Sequence, residues 1–212
     1  MSRGTFITFE GPDGSGKTTQ ARLLVEWLGD QGYEALLTRE PGGTAIGDQI
    51  RNVLHRPDNV GMDPRTEFLL YSASRAQHVS QVILPALAAG NVVVCDRYAD
   101  SSRAYQGYGR GLALEMVEMI TGFATQSLTP DITLYLDIPP REGLERRVLG
   151  GEEWNRMDAE ALAFHQRVRS GYLELAGADP ARWSVLSANR PLEELQAEVR
   201  AVVSAHRKLV AK

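Results

Sequence analysis

The stretch that decides the fold is Thr5-Phe6-Ile7-Thr8-Phe9-Glu10-Gly11-Pro12-Asp13-Gly14-Ser15-Gly16-Lys17-Thr18. Thr5–Glu10 is a β-prone, largely apolar run, and Gly11–Thr18 matches G-x-x-x-x-G-K-[ST] in full. A helical pattern from Lys17 to Gly29 follows, with Leu24 and Leu28 on one face. Glycines in such a loop let successive backbone N–H groups converge on phosphate oxygens without a Cβ in the way. The helix N-terminus adds a partial positive charge. Lys17 is placed to reach the β- and γ-phosphates of a nucleoside triphosphate, and the Thr18 hydroxyl to ligate Mg²⁺. Gly11, Pro12, Asp13, Gly14, Ser15, Gly16, Lys17, Thr18 and Thr19 are therefore the candidate triphosphate site. Switch GTPases, motor ATPases and small-molecule kinases share this cradle, so the reaction has to be read from the rest of the chain.

Outward from this loop, apolar runs alternate with helical patterns, as in βαβ units around a parallel sheet. The strand candidates are Thr5–Glu10, Tyr33–Thr38, Val92–Cys95, Ile132–Asp137 and Trp183–Leu186. Several are continuously apolar, which suits strands covered on both faces. Further helices are expected over Arg65–Ala89, Asp158–Ala176 and Pro191–Leu209. The Arg65–Ala89 segment carries two stripes: Leu69, Ala73, Ala76, Ser80 and Ile83, and beside it Phe68, Ser72, Arg75 and Val79. Arg39–Thr44, Arg97–Gly111 and Gly150–Arg156 read as irregular segments. The first two lie just after strands, at the carboxyl edge where open α/β sheets bind ligands.

The chain of 212 residues has 43% apolar and 24% charged residues, which excludes global disorder. A formal charge of −4 provides no net basic field for nucleic acid. The single Cys95 excludes an intrachain disulfide. The apolar stretch Val82–Cys95 is interrupted by Pro85, Gly90 and Asn91 and is too short to span a bilayer. The N-terminus has no signal-peptide h-region. The expectation is one domain over 1–212, cytoplasmic, acting on a small molecule and binding neither nucleic acid nor membrane.

Four further segments bear on a second ligand. Asp13, inside the phosphate loop, can accept a hydrogen bond from a hydroxyl of a molecule lying across the phosphates, or can cap its own turn. Asp96 follows an apolar run and so lies at a strand tip, the position that holds Mg²⁺ or its waters. Arg97 beside it would point at transferred phosphate, or form a surface ion pair with Asp96. Arg39, ahead of Pro41-Gly42-Gly43, makes an anion site of its loop. Phe68 and Arg75, seven residues apart on one helix face, can stack on a base and bond its carbonyl edge. A core phenylalanine and a surface arginine would satisfy the same spacing. His78, His165 and His206 read as surface or supporting residues rather than metal ligands.

Together, FEGPDGSGKTTQ (9–20), TREPGGT (38–44), Phe68 with Ser74-Arg75, DRYADSSRAYQG (96–107) and NRMDAEALAFHQRVRSGYLELA (155–176) resemble the thymidylate kinase family of P-loop nucleoside-monophosphate kinases. The resemblance covers nearly the whole chain. It implies an α/β P-loop NTPase three-layer sandwich: a five-stranded parallel sheet, helices on both faces and a short lid at about 146–157. The implied reaction is ATP-dependent phosphorylation of dTMP to dTDP with Mg²⁺. It further implies that Phe68 stacks on thymine, that Arg75 bonds the base, and that Ser102, Tyr105 and Gln106 line base and sugar. Asp13 would bind the 3′-hydroxyl, Arg39 and Arg97 the monophosphate, and Thr18 and Asp96 the Mg²⁺. Family members are usually homodimeric, with the Phe68 helix near the partner.

The phosphate loop lacks the arginine that part of this family carries there, so transition-state charge is expected from the lid, from Arg146, Arg147 or Arg156. Pairing of Arg146 and Arg147 with Glu142 and Glu145 is the competing expectation. Gly150-Gly151 would serve as the lid hinge. A P-loop kinase for another nucleotide or nucleoside and a nucleotide-dependent switch stay open on the residues alone. No guanine-reading N-K-x-D pattern supports the switch.

Overall fold

The structure, a computed structural model, describes residues 3–150 and 155–206. Its sheet is parallel throughout, in the order β2-β3-β1-β4-β5. The strands are β1 (Phe6–Glu10), β2 (Ala35–Arg39), β3 (Val92–Asp96), β4 (Ile132–Asp137) and β5 (Trp183–Ser187). The central strand β1 is buried along its length, as suits a largely apolar run covered by helices on both faces. Around the sheet run α1 (Lys17–Asp30), α2 (Ala45–His55), α3 (Pro64–His78), α4 (Leu84–Ala88), α5 (Ala99–Ser102), α6 (Leu114–Thr125), α7 (Pro140–Leu149), α8 (Leu162–Ala178) and α9 (Leu192–Ser204).

On one face, Ala21, Leu24 and Leu28 of α1 pack with Leu195, Val199 and Val203 of α9 over Ile7, Phe9 and Leu134. Elsewhere Phe6, Val93 and Cys95 meet Val79, Ile83 and Leu87, and Phe164, Val168 and Tyr172 of α8 meet Tyr135 and Trp183. Among the described residues no helix is long and apolar enough to cross a membrane.

The strands depart from expectation at their ends. β2 begins at Ala35 and reaches Arg39, β3 reaches Asp96, and β5 reaches Ser187. Pairing continues beyond the apolar residues because neighbouring backbones still offer partners: Arg39 is in register with Asp96, and Glu40 N–H donates to the Asp96 carbonyl at 3.0 Å. The functional side chains at these tips are thereby held by the sheet itself.

The helices differ more. α2, α6 and α7 arise where no helix was expected. α2 is started by Thr44, whose hydroxyl accepts from Gly47 N–H at 2.9 Å, with Asp48 in its first turn. The expected Arg65–Ala89 helix is α3, a π-helical turn over Val79–Ile83, and α4. Pro85 lacks the N–H an α-turn would supply to the Gln81 carbonyl, and the register widens just before it. Of the two stripes, Phe68, Ser72, Arg75 and Val79 are buried, whereas Leu69, Ala73 and Ser80 face solvent. The buried side can be polar because its charged groups are paired there.

Arg97–Gly111 is not irregular after Tyr98. It forms α5 and then a π-helical segment, Arg103–Gly109. α8 begins at Leu162 rather than Asp158, because the Asp158 carboxylate turns back to accept from Asn155 N–H at 3.0 Å. α9 ends at Ser204, and the expected continuation over 207–209 lies outside the described residues.

Candidate active site

The phosphate loop leaves β1 and enters α1 at Gly16, whose φ of 84° is in the left-handed region and whose position carries no side-chain cap. The first-turn N–H groups of α1 are therefore offered to a ligand rather than to a protein oxygen. The loop is held against α7: a Cβ on Gly14 would overlap the Gly143 carbonyl, and one on Gly143 the Asp13 carbonyl. Lys17 is buried, and its ammonium donates to the Pro12 carbonyl at 2.8 Å and to Ser15 Oγ at 3.3 Å. Burial, reinforced by the nearby Arg97 charge, pushes the Lys17 ammonium down to about 8.

Asp96, at the end of β3, accepts from the Thr18 hydroxyl at 2.5 Å. The two expected Mg²⁺ ligands thus stand side by side. Among the described residues no group of three or more His, Cys, Asp or Glu could hold a metal by itself. An oxygen pair beside a phosphate cradle suits a hard cation that keeps waters and shares substrate phosphates.

Arg97 has a φ of 67°, rare for a residue with a side chain, and its guanidinium turns back under the loop. It donates to the Gly11 carbonyl at 2.9 Å, to Asp13 Oδ1 at 2.8 Å and to the Tyr105 hydroxyl at 3.2 Å. Tyr105 in turn donates to Asp13 Oδ2 at 2.9 Å. Burial works against the Asp13 carboxylate, but Arg97, Lys17 and Arg147 outweigh it and hold its carboxyl well below the usual range. Behind this corner Glu10 anchors the turn: its Oε1 accepts from Tyr98 N–H at 2.8 Å, and its Oε2 from Ser101 at 2.6 Å and Tyr172 at 2.8 Å. Burial, with Asp100 nearby, pushes the Glu10 carboxyl up to about 7.

These groups open onto one cavity of about 680 Å³. Asp13, Lys17, Thr18 and Thr19 form one wall; Arg39, Ser102, Tyr105 and Gln106 line it elsewhere, with Arg147, Asn155 and Met157 beside them. α2 adds Arg51, Asn52 and His55, none of which was expected from the sequence. The Thr44 cap and the spacing of Arg51 and His55 on one helical face were the available signal. Burial and the Arg51 charge push the His55 imidazole down to about 3, so it is neutral at physiological pH.

Several residues expected at the site are not on the cavity surface. Phe68 is 2% exposed and does not line the cavity; Tyr71, one turn before Arg75, does. A spacing of seven spans two turns, and the cavity meets α3 only over the nearer one. Arg75 is buried rather than presented to the cavity: it donates to Glu40 Oε2 at 2.7 Å, Ser102 Oγ at 2.9 Å and the Tyr98 carbonyl at 3.0 Å. His78 is fully buried, with Nδ1 3.1 Å from Glu40 and Nε2 2.6 Å from Thr38 Oγ1.

The lid arginines separate. Arg156 is buried on Glu67 at 2.6 Å and donates to the Leu54 carbonyl, so it supports the cavity wall and does not face the loop. Arg146 reaches the Ala188 carbonyl and Asn189, not Glu142 or Glu145, whose partners are Asn189 and Arg141. Arg147 lines the cavity, 3.1 Å from Asp158 and 3.7 Å from Asp13. Gly150 has an ordinary φ of −75°, and Gly151, with the rest of 151–154, lies outside the described residues.

The chain is similar to known proteins over nearly its whole length. The family model for thymidylate kinase matches residues 9–199. A thymidylate kinase of Roseiflexus sp. (strain RS-1) is 53% identical over 93% of this chain and 92% of its own length. That of Deinococcus radiodurans is 52% identical over 96% and 98%. A crystal structure of thymidylate kinase from Ehrlichia chaffeensis superposes with a TM-score of 0.77 at 34% identity, covering 95% of this chain and 99% of the other. The chain belongs to the thymidylate kinase family and is a phosphotransferase.

Proposed function

We propose that the protein transfers the γ-phosphoryl group of ATP in line to the phosphate of dTMP, giving dTDP. The observation that carries this reading is that the phosphate loop and the Asp13–Arg97–Tyr105 corner open onto the same cavity, so donor and acceptor phosphates can be held face to face. The nucleophile is a phosphate oxygen that already carries charge, so the protein need supply no base. Its task is to align two anions and offset their repulsion. Lys17 and the backbone N–H groups of residues 14–18 serve the donor. Arg97, Arg39 and Arg51 serve the acceptor phosphate, and Arg147 supplies charge from the lid side. Thr18 and Asp96 would hold Mg²⁺, which when bound neutralises charge on the β- and γ-phosphates.

Asp13, kept ionised, can accept a hydrogen bond from the 3′-hydroxyl, since each oxygen retains a lone pair beyond those facing Arg97 and Tyr105. Tyr71 supplies the stacking surface for the base in place of Phe68, with Ser102 and Gln106 at the base edge. Arg75 acts through Ser102 and Glu40, which its guanidinium holds in place. Exposed Leu69 on α3 and Met116, Met119 and Phe123 on α6 give the expected homodimer an apolar face. Sedimentation as a single 23.3 kDa species at micromolar concentration would exclude that dimer.

The test is ADP release with Mg·ATP and a panel of dTMP, dUMP, dCMP, dGMP, AMP and thymidine. Turnover is expected with dTMP, more weakly with dUMP, and not with the others. Turnover with a different acceptor alone would keep a P-loop kinase and discard the base pocket; release indifferent to acceptor would indicate a switch. In the same assay Tyr71→Ala should raise the dTMP KM by about tenfold or more, the worth of one aromatic–base stack. Phe68→Leu should lower the melting temperature and leave that KM unchanged. The reverse pattern would restore Phe68 as the stacking residue.

A further inference from the structure

Glu67 lies on α3 one turn before Tyr71 and is fully buried. Four N–H groups converge on it. Its Oε1 accepts from Gln106 Nε2 at 2.9 Å and Arg110 Nε at 3.2 Å; its Oε2 accepts from Arg110 Nη2 at 2.9 Å and Arg156 Nη2 at 2.6 Å. Burial works against its charge, but Arg110, Gln106 and Arg156 outweigh it and hold the carboxyl below its ordinary value. An ionised carboxylate only accepts, so Gln106 has to present its amide nitrogen to Glu67. The opposite orientation would set two oxygens against each other in a buried place.

The other end of that amide is thereby decided. Gln106 lines the cavity, and its Oε1 makes no further bond among the described residues, yet it is not one of the polar atoms sealed from the surface without a partner. We propose that Glu67 is a positioning residue for substrate choice: by locking the Gln106 amide it presents an acceptor oxygen to the base, matching the N3–H of thymine and opposing the N3 lone pair of cytosine. The idea rests on the reading of Gln106 as a base-edge contact. Arg110 and Arg156 supply the cationic surroundings that keep Glu67 an acceptor, which gives the buried Arg156 its place in the site.

The experiment measures affinities for dTMP and dCMP by calorimetry in the wild type, Glu67→Gln, Gln106→Ala and the double variant, with thermal melts alongside. A glutamine at 67 can donate as well as accept, so Gln106 is free to turn over. The dTMP-over-dCMP ratio should fall about tenfold in Glu67→Gln, the worth of one hydrogen bond of ordinary strength. It should fall similarly in Gln106→Ala, and no further in the double variant, while ATP affinity stays unchanged. A ratio unchanged in Glu67→Gln but lost in Gln106→Ala overturns the role of Glu67. A ratio unchanged in Gln106→Ala removes the base-edge reading itself, and the inference with it. Should Glu67→Gln not fold, Glu67→Asp keeps the charge for both arginines and withdraws it from Gln106. The same fall is expected there, and an unchanged ratio overturns the proposal.

Discussion

Alanine at Lys17 is expected to lower kcat about a thousandfold at saturating ATP and dTMP, the scale of removing one preorganised donor from a phosphoryl-transfer site. The loss should come without a lower melting temperature. Lys17 is held at about 8 by burial and by Arg97, well under its ordinary 10.5, so folding disfavours its charged form. Removing that charge takes away a cost to the folded state, and a stable but inactive variant separates catalysis from folding. The same displacement predicts pH behaviour. In the free enzyme Lys17 is charged below about pH 8 and loses its proton above it, so kcat/KM for ATP should decline through that region. Lys17→Arg keeps its charge and should carry the decline to higher pH. A decline that stays put in Lys17→Arg would assign it to another group.

Arg97→Ala should reduce kcat/KM for dTMP by about a thousandfold and lower the melting temperature by about 10 °C. Both effects follow from one guanidinium. Arg97 ties the Gly11 carbonyl, Asp13 and Tyr105 into a corner, and its loss leaves the Asp13 carboxylate without its nearest cation. Arg97 and Asp13 are each 16% exposed, so the cost belongs near the lower end, about 3 kcal/mol, for breaking a buried pair. The sign with pH is definite. Asp13 is depressed in the folded chain, so its contribution is present above its unfolded value of about 4 and is lost on acidification. Arg97→Ala should show the larger deficit at neutral pH and converge on the wild type in acid. Arg97→Lys restores charge without the fork and should recover stability better than activity. Equal acceptor KM in wild type and Arg97→Ala would remove Arg97 from the acceptor site.

The strand-loop-helix unit around Gly11–Thr18 and the strand cores were legible because each depends on contiguous residues: an apolar run, glycines, then a helical pattern. Asp13, Arg97 and Tyr105, expected separately, meet in space because strand tips and the phosphate loop share the carboxyl edge of the sheet. The length of α8 and the start of α3 were legible to within a few residues, whereas the expected run to Ala89 breaks at His78 into α3, a π-helical turn and α4. Their orientation was harder, since a buried face lined by Glu67, Arg75 and His78 does not look apolar. The π-helical segment Arg103–Gly109 looked like a loop, because its glycines serve close packing rather than a turn. A Cβ on Gly109 would press on Phe164 and Val168 of α8.

What the sequence by itself determined was the phosphate cradle and the parallel α/β plan. These follow from backbone geometry and local spacing, which act over a few residues. Only the tertiary structure decided how the long side chains are committed. Arg156 went to Glu67, 89 residues away, and Arg75 to Glu40, 35 residues away; Tyr71 rather than Phe68 came to line the cavity. A guanidinium on a flexible stem has many partners within reach of the chain. The one it takes depends on which carboxylate is buried beside it, because an unpaired buried charge costs far more than any local preference can offset.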